Sequence, residues 1–393
     1  MNKKIKKGLM YGITANVILL SLTSLLTDIS SEIITPLIPL FITSLGASAL
    51  IVGILGGLSD SVAGLFYLFS GYWSDLKGKR KSFIIGGYSI SALTKLFMSL
   101  ATSWIHIFIL RPIERIGKGM RDPPRDTLLA ETTPKEVHGK VFGINRAFDR
   151  TGAILGSILA IIFLALGFSY NKIFFIAALI AFLSVIPLFF VKEKKTKPKK
   201  VSLKIGLKSL PKNLKLFIIV STIFSLASFS YMFFILKTIQ LFPAAMVVAL
   251  YLLSNVIFEL FATPAGILAD KIGKKKVIVY GYILFVLACL IFILSQSLAW
   301  LMAGFALYGL SQALSVSNER AFVADLSPKK ELGTSIGTFY TFNSLAALPA
   351  GIIAGLLWQY VNPSATFIYG AALSLVAALV LAFLNINEKM EMK

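Results

Sequence analysis

Apolar stretches of about 20 residues, the length a helix needs to cross a bilayer, recur along the whole of this chain. Twelve are legible, at 12–43, 49–70, 82–101, 104–126, 141–166, 172–191, 214–240, 244–268, 277–297, 299–317, 333–358 and 364–384. The loops between them are short, and none is long enough for a soluble domain. Of the 393 residues, 56% are hydrophobic and 15% charged, whereas a soluble domain carries about a quarter charged residues. The expected fold is all-α and polytopic, with twelve transmembrane helices.

The net charge of +21 invites a nucleic-acid reading that its distribution argues against. Basic residues gather in alternate loops: Lys3 to Lys7, Lys77 to Lys81, Lys118 to Lys140, Lys192 to Lys215, Lys271 to Lys276, and Lys329 to Lys330. The intervening loops around Ser44, Ser103, Tyr170, Phe242, Gln296 and Asn362 carry almost none. This is the positive-inside bias, and it predicts both termini and the basic loops in the cytoplasm. The basic start resembles a signal peptide, but the apolar stretch after it is long and contains Asp28 and Glu32. It reads as the first transmembrane helix.

One cysteine, Cys289, rules out a disulfide within the chain, and two scattered histidines, His106 and His138, make no metal site. No Gly-x-x-x-x-Gly-Lys-[Ser/Thr] or His-Glu-x-x-His pattern occurs. No enzyme activity, cofactor or metal is expected.

Two residue sets repeat. Gly71, Asp75, Gly78, Lys79, Arg80 and Lys81 match Gly266, Asp270, Gly273, Lys274, Lys275 and Lys276, 195 positions on. Ala130, Pro134, Gly139 and Gly143 match Ala324, Pro328, Gly333 and Gly337, 194 positions on. Nearly one spacing from two unrelated sets indicates a duplicated unit, a construction common among secondary transporters. The charged stretch from Lys192 divides the copies. The predicted organisation is a bundle at 1–191, a basic linker at 192–213 and a bundle at 214–393. Val201 to Leu210 has apolar residues at helical spacing and is expected to lie on the membrane surface.

These residues resemble a major facilitator superfamily transporter, and the resemblance covers nearly the whole chain. The frames at Gly71 and Gly266 resemble the family's cytoplasmic loops between helices two and three and between helices eight and nine. Arg115 and Gly119 resemble its fourth-helix pattern. Gly143, Gly152 and Gly156 keep the spacing of the antiporters' helix-five glycines, with Ser157 where proline is expected and Ala160 replacing a final glycine. The resemblance implies two pseudo-symmetric six-helix bundles, N-in and C-in. Physically, Asp75 and Asp270 sit where a helix leaves the membrane. There each can pair with a base or a helix N-terminus, with Arg80 and Lys276 as the basic members of the two cytoplasmic gates. Gly71, Gly78, Gly266 and Gly273 permit close approach and tight turns.

Ionisable residues inside spans are functional candidates by default. Asp28 and Glu32 share one face of the first span at i, i+4 spacing. Asp60, Arg111, Glu114, Arg115, Asp149 and Arg150 add to a charged N-terminal half. The proton-coupling reading competes with one of permanent pairs, such as Asp28 with Arg115 or Asp149 with Arg146. Lys95 and Lys237 are expected to snorkel to an interface. The C-terminal half is poorer in charge. Asn255, Glu259, Tyr340 and Asn343 are its candidate cavity residues. Phe224, Phe229, Tyr231, Phe233 and Phe234 are its expected apolar wall.

The expected function is proton-coupled efflux of a small organic solute across the cytoplasmic membrane by a multi-pass, monomeric protein. Its expected partners are that solute, protons and membrane lipids, with no nucleic acid. Proton symport of an organic anion, using Arg111 or Arg150, is the alternative, with lipid translocation as a third reading. In a Cys289→Ser background, Ser44→Cys should react with an impermeant thiol reagent outside whole cells. Lys195→Cys should react only after permeabilisation, and the reverse pattern would overturn the topology.

Overall fold

A computed structural model describes residues 13–193, 206–207, 210–294, 296–328 and 331–384. The described residues form fourteen α-helices and one 3-10 turn. In order they are α1 (Ala15–Ile34), α2 (Leu37–Ser44), α3 (Ala49–Lys77), α4 (Lys81–Ser99), α5 (Trp104–Glu131), the turn Lys135–Val137, α6 (His138–Ala165) and α7 (Tyr170–Phe190). Then come α8 (Lys212–Ala227), α9 (Met232–Ile239), α10 (Ala244–Ile272), α11 (Lys274–Leu294), α12 (Leu298–Leu326), α13 (Leu332–Tyr360) and α14 (Pro363–Phe383).

Twelve apolar stretches become fourteen helices because the first and seventh each break once. The first breaks at Thr35-Pro36: Thr35 keeps helical angles, φ −50° and ψ −53°, but Pro36 has no N–H to continue the ladder. The seventh breaks between Ser228 and Tyr231, with Ser228 leaving the helical region at ψ 67°. Several other starts are capped: the side chains of Thr14, Ser103, Ser169 and Asn362 each accept a hydrogen bond from a first-turn N–H. Most of the basic linker and the expected surface helix at Val201–Leu210 lie outside the described residues.

Ten spans are long and apolar enough to cross a membrane among the described residues. The stretches at 82–101 and 104–126 are helical as expected, in α4 and α5, but are not among the ten. Serines, glycines and Lys95 dilute α4, and α5 is heavily charged. Large apolar side chains such as Leu183, Phe189, Leu290 and Leu379 point outward, as a lipid-facing surface requires.

The chain forms two compact units, residues 1–37 with 65–202 and residues 38–64 with 203–393. Segment 38–64 groups with the second unit, whereas the duplication in the sequence follows the chain. Within the first unit α1 packs on α6 and α7, and α4 packs on α5 and α7. Within the second, α11 packs on α12 and α14, α10 on α12, and α8 on α13 and α14.

Both units repeat one helix crossing. A Cβ on Gly87 would meet the Gly117 carbonyl at 2.5 Å and the Arg121 Cβ at 2.8 Å. A Cβ on Gly281, 194 positions later, would meet the Ser315 nitrogen at 3.0 Å and the Ser311 carbonyl at 3.1 Å. Small residues therefore let α4 reach α5 and α11 reach α12, the usual packing device where lipid supplies no hydrophobic drive. Gly87→Ala should lower stability by about 1–3 kcal/mol through overpacking. Gly86→Ala has open space and should keep or raise stability. Thermal unfolding in detergent checks the contrast, and equal midpoints would remove the crossing argument.

Candidate functional site

The two repeated turns carry matching ion clusters, each inside its own unit. Gly78 and Gly273 both adopt positive φ, 60° and 99°, a conformation glycine takes without steric cost. Beyond Gly78, Arg80 is 1% exposed. Its Nη2 lies 2.5 Å from Asp75 and 3.3 Å from Glu131, and its Nη1 donates to Ser74 Oγ at 3.1 Å. One guanidinium thus ties the end of α3 to the end of α5. The Glu193 carboxylate accepts from the backbone N–H groups of Arg80 and Lys81 at the start of α4, where helix polarity favours an anion. Lys81 Nζ donates to the carbonyls of Phe189 and Val191 at 2.9 and 2.8 Å, closing the end of α7.

In the second unit Lys274 Nζ lies 2.5 Å from Asp325 and 3.9 Å from Asp270. Lys275 donates to the carbonyls of Ala382 and Leu384 at the end of α14. Lys274 and Lys275 thus occupy the roles of Arg80 and Lys81, and Asp325 that of Glu131, all at an offset of 194. The base follows Gly78 by two positions and Gly273 by one, which explains why the repeat spacing changes from 195 to 194. The basic partner in the second copy is Lys274, while Lys276, the residue expected from sequence, is exposed. Asp270 is 74% exposed, so this copy is the looser one. A Cβ on Gly71 would lie 3.5 Å from the Pro123 Cβ, an ordinary contact, and one on Gly266 would meet open space, so neither is held by tight packing.

Helix α5 concentrates the buried charge of the first unit. Arg111 and Glu114, each 1% exposed, pair at 2.9 Å, and Arg115 Nε lies 4.0 Å from Glu114. Arg121 donates to Ser91 Oγ at 2.7 Å, sits 3.6 Å from Asp122 and stacks 4.5 Å over the Tyr88 ring. Arg125 bonds Ser24 Oγ at 2.8 Å and Asp126 at 3.0 Å, and lies 3.8 Å from Asp149. Asp149 also accepts from Asn145 at 3.2 Å. Asp149 thus lies near Arg125, with Arg146 also within Coulomb range, and Arg115 lies beside Glu114. Pro123 interrupts α5 and leaves the Gly119 carbonyl without its helical donor; Ser70 Oγ fills that place at 2.7 Å.

Lys95 corrects a second expectation. It is fully buried, and its Nζ donates to Ser30 and Ser31 Oγ, both at 2.9 Å. Its position on the face of α4 turned toward α1 leaves it no route to an interface.

The helix-five glycines meet the first-span carboxylates. A Cβ on Gly152 would strike the Leu25 carbonyl and lie 3.1 Å from Asp28 Cβ. A Cβ on Gly156 would strike the Ile29 carbonyl and lie 3.0 Å from Glu32 Cβ. Gly152 and Gly156 therefore press α6 onto the turns of α1 that carry Asp28 and Glu32, both half-buried. Gly143 has open space around it and takes no part. Asp28 lies within Coulomb range of Asp149, Lys118, Arg121 and Arg125. Arg150, on α6, is half-buried.

In the second unit a cavity of about 230 Å³ is lined by Tyr231, Tyr251, Ser254, Asn255, Phe258, Tyr308, Gly309, Gln312 and Val316. Of the four expected cavity residues Asn255 is present in the lining. Asn343 accepts from Ser221 and Thr222 at 3.3 and 3.4 Å, and Tyr340 meets the Phe339 ring. Glu259 follows Asn255 by one turn of α10 and is half-buried. Asp60, on the part of α3 belonging to this unit, is exposed and within Coulomb range of Tyr308. The expected aromatic wall is instead core: Phe224, Phe229, Phe233 and Phe234 are buried, and Phe224 stacks on Tyr282 at 3.8 Å. Tyr231 alone of that set lines the cavity. Tyr251, Tyr308 and Gln312 were missed because a single aromatic or amide in an apolar run carries no periodic signal. Among the described residues no group of three His, Cys, Asp or Glu side chains is placed to hold a metal.

The sequence profile described as Major Facilitator Superfamily matches residues 20–258 and 238–391. An uncharacterised MFS-type transporter of Methanocaldococcus jannaschii is 44% identical over 381 residues, covering 95% of each chain. Multidrug resistance protein MdtH of Photorhabdus laumondii is 31% identical over 138 residues, 35% of this chain and 34% of that one. A crystal structure of the nucleoside transporter NupG superposes with a TM-score of 0.77 at 15% identity, covering 93% of this chain and 98% of that one; this likeness concerns the fold alone.

Arg125 is an ion partner of both Asp126 and Asp149. Arg125→Met should cost about 3 kcal/mol, because carboxylates would be left buried without their partner. Arg125→Lys, which keeps the charge but loses the fork, should recover part of the loss. Unfolding midpoints in detergent measure both, and a wild-type midpoint for Arg125→Met would dismiss the cluster as a structural element.

Proposed function

The chain belongs to the major facilitator superfamily, and we propose that it is a proton-coupled secondary transporter exporting a small organic solute by alternating access. It is a multi-pass membrane transporter of that type. Direction, coupling ion and the identity of the cytoplasmic membrane are the proposed part. In this reading both termini and the basic loops lie in the cytoplasm, which the positive-inside bias favours.

The observation that carries the coupling is the contact of Gly152 and Gly156 with the turns of α1 bearing Asp28 and Glu32. Any shift of α6 along α1 changes the surroundings of those carboxylates directly. A carboxylate reached from one side at a time loads a proton where protons are abundant and releases it where they are scarce. Each charge moved with the field adds about 2.3 kcal/mol per 100 mV. Two cations nearby are paired, Arg111 with Glu114 and Arg125 with Asp126.

Export is favoured by the spacing of the glycines and by the partial likeness to a protein named for multidrug resistance. Uptake of an organic anion has less support, since Arg111 is engaged by Glu114 at 2.9 Å. The Arg80 and Lys274 clusters fit gates at the cytoplasmic ends of the helices, the first tightly held and the second looser.

Purified protein in liposomes containing a pH-sensitive dye, given pooled small compounds under an imposed proton gradient, tests the proposal. Wild type should show compound-dependent proton flux of antiport sign. Glu32→Gln should abolish it while the protein still unfolds cooperatively. Flux that persists in both Glu32→Gln and Asp28→Asn would overturn the coupling assignment, and flux of the opposite sign would overturn export.

A further inference from the structure

The cavity of the second unit has a chemical character that the proton-coupling residues do not share. Four of its nine lining residues are aromatic: Tyr231, Tyr251, Phe258 and Tyr308. Three more, Ser254, Asn255 and Gln312, are neutral and polar. None of the nine is a lysine or an arginine. The walls come from α10 and α12 and from Tyr231 at the break between α8 and α9. Gly309 lets the Ser254 carbonyl approach closely, so α10 and α12 are drawn together at that level. Tyr231 and Tyr251 lie 5.2 Å apart between ring centres at 42°, and Tyr308 is backed by Phe234 at 4.7 Å.

Two further observations fix polarity. The Gln312 Oε1 is buried and accepts no hydrogen bond, while the amide of the same side chain lies within hydrogen-bonding reach of Tyr308. A buried acceptor left unmatched is costly, and one in a cavity wall is matched when a donor arrives. Asp60, outside the lining, lies within Coulomb range of Tyr308 and adds negative charge to its surroundings. Aromatic faces are negative at their centres and attract cations. An anion entering here would leave water for rings, amides and a nearby carboxylate, with no base in the lining.

We propose that this cavity binds a planar nitrogenous cation bearing N–H donors, stacked among the tyrosines with an N–H directed to Gln312 Oε1. This rests on the transporter reading above and names the class of its cargo. Size sets the scale. An apolar cavity of about 150 Å³ accepts benzene, so about 230 Å³ suits a group of two fused rings.

The probes are three quinolines of one shape: 4-aminoquinaldine, protonated at neutral pH; neutral quinaldine; and the anion quinaldate. Binding to purified wild type in detergent is measured by equilibrium dialysis, without any gradient. The aminoquinaldinium should bind saturably and at least about tenfold more tightly than quinaldine, by cation–π attraction and the Gln312 bond together. Quinaldate should bind more weakly than either. Gln312→Leu and Tyr308→Leu should each weaken the cation about tenfold and move quinaldine less.

Failure of the cation to bind, equal affinity for quinaldine, or tighter binding of quinaldate would each overturn the inference. So would unchanged cation affinity in folded Gln312→Leu and Tyr308→Leu. If a variant does not fold, the comparison of the three probes on wild type decides alone. Cation binding without proton flux in vesicles would defeat the coupling proposal and leave this one standing. Proton flux with other compounds, together with rejection of the aminoquinaldinium, would do the reverse.

Discussion

Nine Asp, Glu, Lys and Arg side chains lie on the 28 residues of α5, and much of the first unit is arranged to neutralise them. An ionised group taken out of water must be paired and hydrogen-bonded or the fold loses several kcal/mol. The neighbours of α5 supply those partners. Ser91 on α4 bonds Arg121, Ser24 on α1 bonds Arg125, and Asp149 on α6 lies against the same guanidinium. At the end of α5 Glu131 meets Arg80. Even the backbone defect made by Pro123 is repaired from outside, by Ser70. The first unit is thus held by polar bonds as much as by packing.

Small residues make this possible by bringing backbones close. Gly87 with Gly117 joins α4 to α5, and Gly152 and Gly156 join α6 to α1. The second unit keeps the frame and changes its contents. Gly281 and Ser311 stand at the positions of Gly87 and Gly117, and Tyr282 at that of Tyr88. Arg125 is answered by Glu319, which accepts from Tyr282 at 2.8 Å. Where the first unit holds arginines, the second holds a web of phenylalanines around Phe229, Phe234 and Phe285. One duplicated scaffold thus carries a charged half and an aromatic half. That division underlies assigning coupling to one unit and recognition of a ring to the other.

The duplicated turns show how far a repeat can be read. Gly78 and Gly273 were legible because glycine, aspartate and glycine recur at one spacing in both frames, and both have the positive φ that such a turn needs. The basic partner was not, because one residue is lost after Gly273. The first spacing, 195, sets Lys275 opposite Arg80, whereas the second, 194, sets Lys274 opposite Arg80 and Asp325 opposite Glu131, and these two lie 2.5 Å apart.

The sequence by itself determined the membrane class, the helical fold, the duplication and the carboxylates worth testing. Those follow from local quantities: run length, charge, spacing and the backbone freedom of glycine. It did not determine who pairs with whom. That Lys95 turns inward to Ser30 and Ser31, that Arg125 meets Asp149, and that Tyr231, Tyr251, Tyr308 and Gln312 enclose one cavity were decided by tertiary structure. The reason is physical. In a bundle most helices are apolar nearly all round, so hydrophobic periodicity no longer tells the buried face from the lipid face. Only the packing of one helix against another selects the side chains that meet.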